Sequence, residues 1–271
     1  MKYILLLSSL FFTIPVNAWE QVAPYPIEKC QVQAPYGFPQ SSTQGVAICR
    51  AGYVTLNDTA AKLPVWVSYT LYPEYALGCV PRSNGFAPDQ SLPKGSRAEL
   101  ADYAKSGYDI GHVAPNADMS SFDQFEKESF LLTNMFPQLP GLNRSTWKLL
   151  ETSVRGWTVQ RNHPYVIYAG PIYTQSDKTI GVNNVIVPHA FYKIAIDTTT
   201  NEVAGFIFPH QAGLGNDLTK VRAPITQIQQ LTGITFAYPA NASELPLDQL
   251  WPVDFGALTK SKQSKCKGKA D

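Results

Sequence analysis

The stretch Tyr108-Asp-Ile-Gly-His-Val-Ala-Pro-Asn-Ala-Asp118 (YDIGHVAPNAD) decides how this chain is read. It brings one of only four histidines against a glycine, with Asp109 and Asp118 on either side. His112 is the best candidate for acid–base work, because an imidazole titrates near neutral pH. Gly111 removes a side chain beside that base and is expected to leave room for a bulky substrate. Pro115 stiffens the turn leaving the segment. The competing account is that a lone histidine is a packed or surface residue, so context has to decide.

The context begins at the N-terminus. Lys2 precedes an apolar run from Tyr3 to Val16 and then Val16-Asn17-Ala18. This is the pattern of a secretory signal peptide cut after Ala18. The run is shorter than the roughly 20 residues that span a bilayer, and no second apolar run follows, so no membrane partner is expected. Four cysteines, Cys30, Cys49, Cys79 and Cys266, fit two disulfides in an oxidising compartment, periplasm or medium. Three connectivities exist; closeness in sequence favours Cys30–Cys49, which leaves Cys79–Cys266, a bond that would tie down the C-terminal tail. No C-x-x-C spacing suggests zinc. The formal net charge of +1 carries no global signature for nucleic acid or anionic membranes. Lys260, Lys262, Lys265, Lys267 and Lys269 form a basic tail, expected to be solvated and frayed.

Four units are expected: residues 1–18 as signal peptide, 19–45 as an irregular segment, 46–258 as one domain, and 259–271 as the basic tail. Val65, Val67, Tyr69 and Leu71 alternate as on one face of a half-buried strand. Further strands are predicted at Tyr165–Ala169, Asn184–Val187, Phe191–Asp197 and Val203–Pro209, the last two joined as a hairpin. Ser121 with Gln124 reads as a capping box opening a helix to Leu131. Other helices are expected over Asn143–Trp157 and from Pro224 to Leu231, with Gly233 beyond its end. Strands and helices mix without a regular βαβ alternation, which favours α+β with a mainly antiparallel sheet. G-x-S-x-G, Walker A, H-E-x-x-H and G-x-G-x-x-G are absent.

In Asn143-Arg-Ser-Thr-Trp-Lys-Leu-Leu-Glu-Thr-Ser-Val-Arg155, the residues Asn143, Trp147, Glu151 and Arg155 recur every four positions and share a helix face. A structural account competes: Asn143 as N-cap, Trp147 as core, and Glu151–Arg155 as an ordinary i, i+4 pair.

Taken together, these stretches resemble the DNA/RNA non-specific endonucleases of the ββα-metal (His-Me finger) superfamily, whose signature reads D-R-G-H-x-x-P-x-x-D. Asp109, Gly111, His112, Pro115 and Asp118 match it. Thr133-Asn134-Met-Phe-Pro-Gln138 resembles the T-N-x-x-P-Q segment. Asn143 to Trp147 with Leu150-Glu151 resembles N-x-x-x-W-x-x-L-E, and Arg82 before Phe86 resembles the arginine-bearing stretch. The similarity runs from about Cys49 to Phe236.

The resemblance implies an α+β fold with a ββα-metal finger embedded in a mixed, mainly antiparallel sheet with flanking helices. It implies His112 as general base toward water, and Asn143 as the direct ligand to one Mg²⁺, with Mn²⁺ or another divalent metal as alternatives. Glu151 would act on the metal through water, and Arg82 on the phosphate. Arg155 would hold Glu151 or approach the phosphate, and Asn134 would brace the site. DNA and RNA are the implied substrates, cut to 5′-phosphate and 3′-hydroxyl ends. Ile110 departs from the family arginine and supplies neither charge nor hydrogen bond. Either a cation is lost from the cleft, or the side chain lies on the strand face away from His112. The rival functions are a catalytically degenerate nucleic-acid-binding module and a hydrolase of other phosphoesters.

Overall fold

The computed structural model describes residues 21–268; the expected signal peptide lies outside them. Nine labelled strands and four labelled helices carry the argument. The strands are β1 (Val46–Cys49), β2 (Val54–Asp58), β3 (Leu63–Leu71), β4 (Asp109–His112), β5 (Met135–Gln138), β6 (Tyr165–Ile172), β7 (Ala190–Asp197), β8 (Glu202–Pro209) and β9 (Ser243–Glu244). The helices are α1 (Asp123–Ser129), α2 (Lys148–Arg161), α3 (Ile225–Thr232) and α4 (Phe255–Cys266).

Seven strands form one sheet in the order β9-β8-β7-β6-β3-β2-β1. Every pairing is antiparallel except β8 with β9. The predicted β7–β8 hairpin is present. The Asp197 carboxylate accepts from the Thr199 and Thr200 amides at 2.9 and 3.1 Å, and Asn201 takes the left-handed conformation that closes the turn.

Alternation along the strands sends side chains to two cores. Phe191 and Ala195 of β7 join Tyr165, Ile167, Trp147 and Trp157 on one side. Tyr192, Ile194 and Ile196 join Val166, Tyr168 and the α3 residues Ile225 and Ile228 on the other. Because both faces are covered, β3 is buried almost throughout, not half-buried as its alternation suggests. Its register skips from Trp66 to Pro64 against β2, a bulge at Val65. Val65 therefore joins the core opposite to Val67, Tyr69 and Leu71.

α3 begins after Pro224 and ends at a left-handed Gly233, close to its predicted limits. The expected Asn184–Val187 strand shrinks to Val185–Ile186. The predicted capping box at Ser121 does not form. Ser121 donates to the Tyr75 carbonyl at 2.8 Å, Gln124 donates to the Tyr25 hydroxyl, and α1 starts only at Asp123. Disulfides join Cys30 to Cys49 and Cys79 to Cys266. The second overturns the frayed tail: α4 is helical to Cys266, capped by Asp254 on the Ala257 amide, with Leu258 buried. Gly156 of α2 lies so close to Val253 that an added Cβ would meet it at 2.5 Å, which lets the chain leading into α4 dock. No helix among the described residues is long and apolar enough to cross a membrane.

Candidate active site

β4 and β5 form a separate antiparallel pair, Asp109 opposite Gln138 and His112 opposite Met135. The helical run Pro140–Arg161 follows, completing a strand–strand–helix unit. Gly111 is required by packing. A Cβ there would lie 2.6 Å from Gln138 Oε1 and 2.9 Å from Gln138 Cβ, so buried Gln138 fills the space expected for substrate.

His112 is 9% exposed and lies between Phe86 and Phe130, ring centroids 5.5 and 5.1 Å away. Its Nε2 is enclosed without a hydrogen-bond partner among the described residues. Burial, with the Arg82 charge as a second cause, pushes its pKa down to about 3, which keeps the ring neutral at neutral pH but makes it a weaker proton acceptor than a free imidazole. Its carbonyl accepts from Trp147 Nε1 at 3.3 Å. Asn134 fixes the chain just beyond: its amide oxygen accepts from the Ala114 N–H, and its amide nitrogen donates to the carbonyls of Ala114 and Ser129, all at 2.9 Å.

Asn143 is not an N-cap. Its backbone is helical, and it opens a π-helical segment, Asn143–Trp147, continuous with α2. A π turn advances fewer degrees per residue than the 100° of an α-helix, opposing the drift of an i, i+4 row. Asn143 and Glu151 therefore line the same cleft, while Trp147 is core, as its structural reading holds. The Asn143 amide nitrogen donates to Asp109 Oδ2 at 2.8 Å, and Arg144 holds the same carboxylate through Nε and a terminal nitrogen at 2.8 and 2.6 Å. Burial acts to raise the Asp109 pKa. The bonds from Arg144 and Asn143 outweigh it and hold the carboxyl below its ordinary value.

Arg155 pairs with Asp118, not with Glu151. It donates to Asp118 Oδ1 at 2.7 Å and to Thr152 Oγ1 at 3.0 Å, while the Tyr69 hydroxyl donates to Asp118 Oδ2 at 2.8 Å. Burial raises Glu151 to about 7; Lys193 and Arg155 pull against it, and Asp118 acts with it. Lys193 of β7 has no counterpart in the sequence reading. It is fully buried, its ammonium has no hydrogen-bond partner among the described residues, and it sits 4.4 Å from the centroid of the Trp147 ring. Burial lowers its pKa against the pull of Glu151 and Asp118. A lysine inside the otherwise apolar run Ala190-Phe-Tyr-Lys-Ile-Ala-Ile196 was the signal available.

One cleft of about 490 Å³ gathers Arg82, Ile110, His112, Asn143, Glu151 and Arg155, with Arg144 and Lys148 on its wall. Asn134 lies behind it. Arg82 is exposed, its guanidinium 4.8 Å from the centroid of the Phe130 ring and bonded to Asn84 at 2.6 Å. Ile110 lies in the cleft beside His112, so the opposite-face reading fails: residues 110 and 112 are two apart and share a strand face. The metal donors fit a hard cation. Asn143 commits its nitrogen to Asp109, so its oxygen would be the end offered to a cation, with the Glu151 carboxylate able to act through water. Few oxygen donors suit an ion that keeps most of its waters. Among the described residues, no three His, Cys, Asp or Glu side chains gather as a metal cluster.

Comparison with known proteins identifies the family. Residues 33–243 match the family described as DNA/RNA non-specific endonuclease. A nuclease from Syncephalastrum racemosum is 33% identical over 211 residues, covering 69% of this chain and 66% of its own. A nuclease from Nostoc sp. is 33% identical over 183 residues, 63% of this chain and 65% of its own. The chain thus spans just under two thirds of the length of both. Mitochondrial endonuclease G of Bos taurus is 32% identical over 220 residues, covering 75% of this chain and 72% of its own. A crystal structure of an EndoG/EndoGI complex superposes with a TM-score of 0.69 at 27% identity, over 83% of this chain and 93% of the other. The strand–strand–helix unit, the cleft it frames and the match over most of the chain lead to one conclusion: the protein belongs to the DNA/RNA non-specific endonuclease family.

Proposed function

We propose that the protein is an exported, divalent-metal-dependent endonuclease that hydrolyses phosphodiester bonds of DNA and RNA with little sequence preference. The observation that carries this reading is the convergence of Arg82, His112, Asn143, Glu151 and Arg155 on one cleft. His112, held neutral, takes a proton from the water that attacks phosphorus. Arg82 contacts a phosphate oxygen and offsets the charge that grows there. Asn143, oriented from behind by Asp109, would hold Mg²⁺ or a similar cation through its amide oxygen, and Glu151 would act on that cation through water. When bound, such a cation would supply positive charge that stabilises the departing oxygen. Arg155, fixed by Asp118, borders the phosphate path, and Asn134 keeps the segment after His112 in place. Contacts made to phosphates carry no sequence information, in keeping with low specificity. The leader-like residues 1–18 and the two disulfides support export.

The test incubates residues 19–271, disulfides intact, with plasmid DNA and RNA, with Mg²⁺ or chelator, beside His112→Ala. Metal-dependent degradation abolished in the variant is expected. A second reading has a specific motive: Ile110 places an apolar side chain in the cleft where the family carries arginine. A degenerate binding module would retain nucleic acid without cutting it under any divalent metal, and that result would replace the first reading.

A further inference from the structure

We propose that α4 builds a second phosphate subsite, which grips the substrate strand beyond the scissile bond. The inference rests on the nuclease reading but concerns an element outside it, since α4 follows residue 243, where the family match ends. A hollow of about 280 Å³ lies between α4 and the body, lined by Ala117, Arg155, Leu258, Thr259, Lys262 and Gln263 among others. It shares Ala117 and Arg155 with the catalytic cleft. A strand with one phosphate beside His112 is thus led across Arg155 into this hollow.

The lining suits a phosphodiester. Gln263 offers an amide donor, Leu258 an apolar wall for a sugar, and no lining residue is a carboxylate; the Thr259 hydroxyl donates to the Phe255 carbonyl at 2.8 Å. The Lys262 ammonium donates to the Gly78 carbonyl and lies 3.5 Å from Ser120 Oγ. It makes no ion pair among the described residues, so its charge is available to an anion. Arg155 shares its charge with Asp118, leaving one net cation at the hollow. The wall is rigid: the Cys79–Cys266 disulfide fixes one end of α4, and paired Gln160–Asp254 hydrogen bonds of 2.6 and 3.0 Å fix the other. Little ordering is needed on binding, which favours affinity.

The test uses the full mature chain with disulfides intact and a fluorescent 30-nucleotide single strand, read by anisotropy in chelator. Gln263 is exposed, so Gln263→Glu puts a carboxylate at the hollow without disturbing the core. Ser264→Glu adds the same charge on the same helix, outside the hollow. Gln263→Glu is expected to weaken binding about fivefold, as for a like charge near a partly screened phosphate, and Ser264→Glu less than twofold. Lys262→Gln, checked for an unchanged melting transition, should lower the slope of log affinity against log salt by about 0.7. Equal effects of the two glutamates, or none from Gln263→Glu, overturn the subsite. Free inorganic phosphate competing as well as the strand would limit the hollow to a lone anion and overturn it as a strand subsite. Degradation of plasmid DNA and RNA by the wild type, with Mg²⁺ restored, tests the nuclease reading separately.

Discussion

Asp109→Ala isolates the contact on which the metal reading depends. The carboxylate accepts one hydrogen bond from the Asn143 amide and two from Arg144. Without it, the Asn143 amide loses the partner that fixes which of its ends faces the cleft. Arg144 is also released as an uncompensated cation beside the same space, which repels a second cation. Partners that orient a metal ligand from behind are worth about 10- to 100-fold in metal affinity. Because the site is only partly buried, water replaces some of the lost bonding. The lower half of that range is expected, an increase in the dissociation constant of about 10- to 30-fold, or roughly 1.4–2 kcal/mol. Mn²⁺ titration followed by electron paramagnetic resonance, without substrate, reads this directly. Asp109→Asn keeps an acceptor for the Asn143 amide but loses the charge, and should fall between the alanine variant and the wild type. Arg144→Ala leaves the Asn143–Asp109 bond and should change affinity by less than about threefold. If Asp109→Ala binds Mn²⁺ as the wild type does while Asn143→Ala does not, Asp109 does not orient the ligand. Unchanged binding in Asn143→Ala would remove the ligand itself.

The same geometry sets three further outcomes. Since the folded pKa of His112 is depressed from 6.5 to about 3, the unfolded chain binds the extra proton between those values. Its contribution to stability is therefore complete above the upper value and is lost as pH falls through the window; His112→Gln should flatten the drop in urea midpoint between about pH 7 and pH 4.5, and an unchanged drop contradicts the burial argument. Gly111→Ala forces a methyl against Gln138 and should cost about 1–3 kcal/mol in urea unfolding, with Gln138→Ala in the same chain restoring part of it; no loss would mean that the β4–β5 contact is loose. Lys193→Met replaces a buried, unpartnered ammonium with an apolar chain and should leave stability equal or raised by about 1–4 kcal/mol. It should also move the Glu151 carboxyl above about 7, read by carbon-13 NMR of the labelled glutamate; a pKa that stays in place would show that Lys193 does not sense it.

What the sequence made legible was local. His112, Asn143 and Glu151 stood out as a histidine beside a glycine and a four-residue helical row, and the resemblance to the family's short motifs, not the spacing itself, gave them roles; the π-helical turn that aligns Asn143 with Glu151 was not visible. Even Ile110 was decidable at that level, since the two-residue strand period puts it beside His112. The failures arise where a distant group competes for a local one. Ser121 has the pattern of a cap, but the carbonyl of Tyr75 takes its hydroxyl. Gly111 suggests room for substrate, but Gln138 arrives from the neighbouring strand. The basic tail has the composition of a frayed end, but a disulfide spanning 187 residues holds it as a helix.

The motif aspartates show why spacing names residues without assigning their tasks. Asp109 and Asp118 flank His112, yet neither bonds to it. Asp109 reaches 34 positions forward to Asn143, and Asp118 reaches 37 positions forward to Arg155. Each ties the strand segment to a different turn of the following helical run, one at the π-helical entry and one two turns along α2. A single carboxylate would leave that run free to pivot about its one anchor; two, set apart along it, fix its rotation and its distance from β4 together. The position of Asn143 relative to His112 is then set by both ion pairs, Arg144 with Asp109 and Arg155 with Asp118. Lys193, approaching the same helical run from β7 beneath Trp147, comes from a strand that no motif includes. Its position depends on sheet order, and sheet order is a property of the whole chain that no local spacing encodes.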